Sequence, residues 1–229
     1  MVSSLKKARR YTTNLRFDNM FEKVIESLEK NNIRAAYVED TTQLIDFVKD
    51  FIPKGSVVSN GGSVTLAQTG IIDLLRNGDY RFLDRGAEGL TREQIEEIFH
   101  KAFNADYYLM SSNAVTEDGM LYNVDGNSNR VAALLYGPSN VLVIVGKNKI
   151  VKDIPAAIER VKTVAAPKNA ARLSCSTYCN SAQKCVNADS CDFGGCASDA
   201  RICCNYVITS HQRRYGRITV VIVGQELGY

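Results

Sequence analysis

Seven cysteines fall between Cys175 and Cys204, and the first 174 residues contain none. In a compartment that keeps thiols reduced, such a cluster reads as a metal or redox site before it reads as a disulfide framework. The gaps are C-x3-C, C-x5-C, C-x5-C, C-x4-C and C-x6-C, followed by the adjacent Cys203 and Cys204. None is the tight C-x2-C of a zinc ribbon, and neither histidine lies in the run, which argues against a histidine-containing finger. Four thiolates on an irregular loop suit an iron–sulfur cluster or an all-cysteine zinc site. The competing reading, inert buried thiols, sits poorly with seven cysteines in so short a stretch. An adjacent pair rarely places both sulfurs on one ion, so at most one of Cys203 and Cys204 is expected to ligate it. A catalytic cysteine is the weaker idea, because His100 and His211 are the only histidines and both lie outside the run.

A second candidate is the segment Val57–Gly70, VVSNGGSVTLAQTG. Gly61 and Gly62 let the backbone approach a ligand, and Ser59, Ser63 and Thr65 add hydroxyls at the start of a helix whose N–H groups favour an anion. It is neither a phosphate-binding P-loop nor a dinucleotide fingerprint, since no Gly-Lys-Ser/Thr or G-x-G-x-x-G occurs in it. A tight strand-to-helix turn capped by Ser63 explains the same residues, but ligands of open α/β sheets bind beyond the carboxyl ends of strands, where this loop lies.

The third is the polar block Ser111–Arg130, which holds Glu117, Asp118, Asp125, four asparagines and Arg130. Asn113, Asn123, Asp125, Asn127 and Arg130 offer amides, a carboxylate and a fork-shaped cation for a small anionic or polar ligand. Glu117 and Asp118 are the candidate base or nucleophile. Asp, Asn and Gly are also ordinary turn residues. The block as a whole is longer and more polar than a plain connection requires.

The elements that must position these groups alternate along the chain. Residues 17–31 carry Phe17, Phe21, Val24, Ile25 and Leu28 at helical spacing with Asp18 as cap. A strand at Ala35–Val38 precedes a helix capped by Thr41 or Thr42 and stopped before Pro53. A strand at Ser56–Ser59 leads to a helix from Ser63 to about Arg76, ended at Asn77-Gly78. Tyr80–Leu83 reads as a strand, and Thr91 with Gln94 as a capping box for a helix burying Ile95, Ile98, Phe99 and Phe103. Residues 106–111 form a strand, Met120–Val124 a small strand flanked by Asp-Gly turns, and Asn129–Tyr136 a helix ended by Gly137-Pro138. Val141–Val145, apolar throughout, is a central strand. A helix runs from Ile154 to about Leu173 with an uncertain end around Pro167, and Tyr206–Thr209 and Ile218–Val223 are strands around a basic turn. This alternation predicts an α/β protein with a mainly parallel sheet covered on both faces, in one domain spanning 1–229 with a helical segment over 1–30.

Composition bounds the rest. The chain has 229 residues, 45% hydrophobic and 23% charged, enough for a sizeable core. A net charge of +3 does not suggest a nucleic-acid binder, and the basic start (Lys6, Lys7, Arg9, Arg10) reads as a solvated helix face. No secretory signal is seen, and no stretch approaches the roughly 20 apolar residues of a membrane span. A cytoplasmic protein is expected.

The stretches SNGGSVTL, NAVTEDGMLYNVDGNSNRVAALLYGPSNVLVIVGKNKIV and RITVVIVGQELGY, in this order, resemble the LUD-domain family, which includes the C subunit of bacterial lactate-utilisation operons. The resemblance covers most of the chain from about Ser56 onward. It implies a Rossmann-like three-layer αβα sandwich, related to sugar isomerases and coenzyme A transferases, with the cysteine-rich segment 175–204 as an insertion. The tail is similar to one branch of the family, whose four cysteines match Cys179, Cys185, Cys196 and Cys203; Cys175, Cys191 and Cys204 are extras.

The resemblance further implies a role in lactate or hydroxy-acid oxidation, with a cysteine-bound cluster or metal, a small anionic ligand and partner subunits of an oxidation complex; self-association stays open. Two alternatives stand beside it. One is an isomerase-like or acyl-transfer enzyme using Glu117 or Asp118, and the other a binding or regulatory module with structural zinc.

Overall fold

A computed structural model describes residues 19–229. The basic start, Phe17 and Asp18, and with them most of the helical segment expected over 1–30, lie outside the described residues. Helix α1 (Asn19–Lys30) turns Phe21, Val24 and Leu28 inward, as their spacing predicts.

Six strands form an entirely parallel sheet in the order β1 (Arg34–Val38), β10 (Ile218–Val223), β7 (Asn140–Gly146), β4 (Tyr107–Met110), β2 (Val57–Asn60) and β3 (Arg81–Leu83). Alternate residues of each strand feed opposite faces. Tyr37, Met110, Val143 and Val220 pack with α1, while Val38, Leu109, Ile144 and Val221 pack with helices α2 (Thr41–Phe51), α3 (Val64–Gln68) and α4 (Ile71–Asn77). The expected three-layer α/β sandwich is present.

Local chemistry moves several boundaries. Asp40, not Thr41 or Thr42, caps α2, its carboxylate accepting from the Gln43 N–H at 2.9 Å. The helix expected from Ser63 to Arg76 is two helices, because Gly70 adopts φ +73° and turns the chain between them. The Thr91–Gln94 capping box starts α5 (Arg92–Ala102), but Ile95, Ile98 and Phe99 are only half-buried and Phe103 is 37% exposed. This helix lies over β2 and the short edge strand β3, which offer less apolar surface than the sheet centre.

A second, four-stranded sheet was not anticipated. It runs β8 (Ile150–Val151), β5 (Ala114–Thr116), β6 (Leu121–Asp125), β9 (Asn205–Thr209), so the last two strands of the chain belong to different sheets. Val115 and Leu121 join the core under the main sheet, while Ala114, Tyr122 and Val124 pack against a long helical stretch. That stretch is α7 (Ile154–Arg160), one π turn (Val161–Ala165) and α8 (Ala166–Arg172). The π turn resolves the question posed by Pro167. The Ala166 N–H reaches back to the Val161 carbonyl, and the widened turn lets a residue without an N–H continue the helix to Arg172. Helix α6 (Asn129–Tyr136) runs over its expected range, and a five-residue helix α9 (Tyr178–Ala182) opens the cysteine-rich segment. Among the described residues no helix is long and apolar enough to cross a membrane.

Candidate functional site

Parallel strands deliver their carboxyl ends to one edge of the sheet, and loops leaving β2, β4 and β7 meet there the loop leaving β6. They enclose a cavity of about 280 Å3. Gly62, Ser63 and Thr65 reach it from the first loop, Asn113 from the second, and Asp125, Asn127 and Arg130 from the fourth. Ser59, Gly61 and Asn123 stand behind the wall. Ser59 is buried with its hydroxyl donating to the Leu83 carbonyl, and Asn123 is fully buried beneath Arg130.

The two glycines make room for arginines. A Cβ on Gly61 would fall 3.0 Å from the Arg130 stem, and one on Gly62 would fall 3.1 Å from a terminal nitrogen of Arg85. Ser63 caps α3, but that helix is only five residues long and brings little dipole to the cavity.

Arg130 is a clamp. One terminal nitrogen donates to Asn123 Oδ1 (2.6 Å) and the Ser111 carbonyl (3.2 Å); the other donates to the Val124 carbonyl (2.7 Å) and Asn113 Oδ1 (3.2 Å). Its Nε faces Asp125 Oδ2 at 3.3 Å. All four terminal N–H groups are thereby engaged with the protein, so the guanidinium lends the cavity charge while holding the loop after β6 in shape.

Two residues that sequence reasoning passed over complete the wall. Lys149, 4% exposed, follows β7 by three residues and donates to Thr65 Oγ1 and Ser111 Oγ, both at 2.9 Å. Burial, reinforced by Arg160 and Arg130, pushes its amine down to about 7. Arg172 enters from α8, held by Asn169 and Tyr229. In the sequence Lys149 reads as one more charge in the turn GKNK, and only its depth after a central strand distinguishes it. Arg85, Arg130, Lys149 and Arg172 line the cavity with one acidic side chain, Asp125, so basic side chains outnumber acidic ones on its wall.

Glu117 and Asp118 do not line this cavity. They sit at the turn between β5 and β6, where Glu117 pairs with Lys23 at 3.1 Å and Asp118 accepts from the Thr116 hydroxyl. His100 and His211 are exposed and line neither cavity.

The cysteine-rich segment leaves α8 and returns to the fold at β9. All seven cysteines are free thiols. Cys179, Cys185, Cys196 and Cys203 line one small cavity of about 30 Å3, whereas Cys175, Cys191 and Cys204 do not. The segment is fastened on two sides. Buried Lys162, in the π turn, donates to the Ser190 carbonyl (2.7 Å), and its own carbonyl accepts from the Cys185 N–H (2.9 Å). Arg201 donates to the carbonyls of Cys203 (2.8 Å) and Cys196 (3.3 Å) and to the Tyr206 hydroxyl (3.0 Å).

Among the described residues no three His, Cys, Asp or Glu side chains are close enough together to form an ion site. The donor set nonetheless fits a thiolate-bound group in two respects. The Cys203 thiol is pushed up to about 12, first by burial and then by Cys179 and Cys185, a penalty that a cation among these sulfurs would reverse. Tyr122, fully buried on the same wall, has a hydroxyl with no partner, and a thiolate or sulfide is an acceptor for it. The two cavities are neighbours. Val161, Ala166, Ile202 and Cys203 line both.

The LUD domain model matches residues 21–223. No curated protein matches the sequence. Among solved structures, a DUF162 family protein from Deinococcus radiodurans superimposes with a TM-score of 0.49 at 11% identity, covering 90% of this chain and 96% of that one. The eIF2B beta of Chaetomium thermophilum superimposes with a TM-score of 0.34 at 16% identity, over 49% of this chain and 43% of its own.

Proposed function

The chain belongs to the LUD-domain family, and from that premise we propose that it serves lactate or related hydroxy-acid oxidation, binding a small anion in the basic cavity and an iron–sulfur cluster on Cys179, Cys185, Cys196 and Cys203. The observation that carries this reading is the wall the two cavities share, with Cys203 exposed to both. A cluster held there would take up and pass on single electrons. The chain's own residues supply its surroundings. Lys162 and Arg201 would offset the negative charge of gathered thiolates, and the unpartnered Tyr122 hydroxyl would donate to a sulfur. On the other side, Arg85 and Arg172 would hold a carboxylate against the Cys203 wall. Partner subunits that receive the electrons belong to this reading, as does a cytoplasmic setting.

The test is purification without oxygen, followed by a visible spectrum and iron and zinc determination per chain. Iron with broad visible absorption, lost in Cys185→Ser, is the expected result. A colourless protein with tightly held zinc would replace electron transfer with a structural-zinc module. Absence of both metals would overturn the metal-centre reading altogether.

A further inference from the structure

Lysine is the residue least often enclosed without a carboxylate, because its ammonium loses its hydration and gains nothing ionic in return. Lys149 is enclosed in this way. Its Nζ has two hydroxyl partners, Thr65 and Ser111, and the charges acting on it are the cations Arg160 and Arg130. A purely structural lysine would be better placed beside Asp125, whose Oδ2 accepts no hydrogen bond and is paired only with Arg130. Lys162 shows the ordinary solution, since it too is buried but has a carbonyl and the Asp192 carboxylate as partners. Lys149 also differs in position, since it lines the larger cavity.

We propose that Lys149 is a nucleophilic amine that captures the carbonyl carbon of a small anionic carbonyl compound, of the 2-oxo acid class, as an imine inside the basic cavity. The inference rests on the anion-site reading above and adds to it a reacting atom and a substrate class. Desolvation among cations is the arrangement that keeps an amine neutral and therefore nucleophilic near pH 7. The substrate's carboxylate would lie toward Arg85 and Arg172, and so supply the negative charge that the site lacks. The cavity, at about 280 Å3, falls just below the roughly 300–1,000 Å3 of pockets for drug-sized ligands, which suits a compound of few atoms.

The step balances without an oxidant or reductant. The Nζ lone pair attacks the carbonyl carbon and forms a C–N bond. The carbonyl oxygen then leaves as water, carrying the two amine protons, and the C=N bond closes. Thr65 Oγ1 and Ser111 Oγ, each 2.9 Å from Nζ, are placed to relay those protons.

The test uses the full chain, glyoxylate as the anionic carbonyl probe and cyanoborohydride to fix any imine, with peptide mapping by mass spectrometry. An ordinary exposed lysine holds on the order of a thousand times less free amine at pH 7 than one with a pKa near that pH. Lys149 should therefore label at least about tenfold faster than exposed Lys54 or Lys101, even after a penalty for access. Inorganic phosphate should protect it, and Lys149→Met, which fills much the same space without an amine, should lose the adduct while retaining the wild-type circular dichroism. Adducts confined to exposed lysines would overturn the imine assignment. Equal labelling of Lys149 by uncharged acetaldehyde, with no protection by phosphate, would instead overturn the anion site and leave the amine assignment standing.

Discussion

At the scale of the residue, the site depends on two buried basic side chains that are held in different ways. Arg130 is paired with Asp125 and spends its terminal donors on two asparagines and two carbonyls. Arg130→Met should cost about 3–5 kcal/mol in urea unfolding, since it leaves the Asp125 carboxylate, itself only 9% exposed, without its cation. A loss under about 1 kcal/mol would mean that the clamp is idle. Lys149 behaves oppositely, because its folded-state affinity for a proton is depressed from 10.5 to about 7. Between those values the unfolded chain binds the proton and the folded chain does not, so stability rises with pH across that window. The slope contributed should approach about 1.4 kcal/mol per pH unit, and Lys149→Met should remove it. Chemical unfolding of both proteins between pH 7 and 9 measures the difference, and parallel curves would refute it.

At the scale of the element, the second sheet is anchored to α1 by the turn between β5 and β6. Gly119 there has φ +82°, a Cβ on it would lie 2.5 Å from the Ser27 carbonyl carbon, and Asn31 donates to the carbonyls of Asp118 and Gly119. Gly119→Ala should therefore destabilise by about 2 kcal/mol or more, through left-handed strain plus a contact with backbone that cannot swing aside. A wild-type melting temperature would show that the sheet does not need this seat. The parallel sheet was legible in the sequence because its strands are apolar runs and its helices carry strong punctuation, such as Thr91 with Gln94 and Gly137-Pro138. The second sheet was legible only in part. Met120–Val124 and Tyr206–Thr209 read as strands, but their pairing with each other joins residues far apart in sequence, and Ala114–Thr116 is too short for any period to register. Part of the site shared that fate. Asn113, Asp125 and Arg130 could be picked out as a polar block, but which of them would turn inward to hold one another depends on pairings between residues far apart in sequence. Lys149 was hidden because charge in a turn is ordinarily solvated, and its partners Thr65, in α3, and Ser111, just after β4, are far from it in sequence.

At the scale of the whole molecule, the LUD domain model spans 21–223 and so takes in the cysteine-rich segment between α8 and β9, the whole of the smaller cavity and all of the larger one except Tyr229. If that segment holds metal, the metal ties Cys179, Cys185, Cys196 and Cys203 to the π turn and to β9, and its removal should be felt as a loss of fold stability. Treatment with a chelator under reducing conditions should lower the melting temperature by several degrees, and restoring the metal should recover it; an unchanged melt would separate the segment from the stability of the core. The party wall formed by Val161, Ala166, Ile202 and Cys203 has one more consequence. A guest on one side cannot shift that wall without altering the room on the other, and thermodynamics obliges the influence to run equally in both directions. Whatever factor phosphate imposes on the metal's dissociation constant, the metal must impose on that of phosphate, so the two occupants report on each other without any domain having to move.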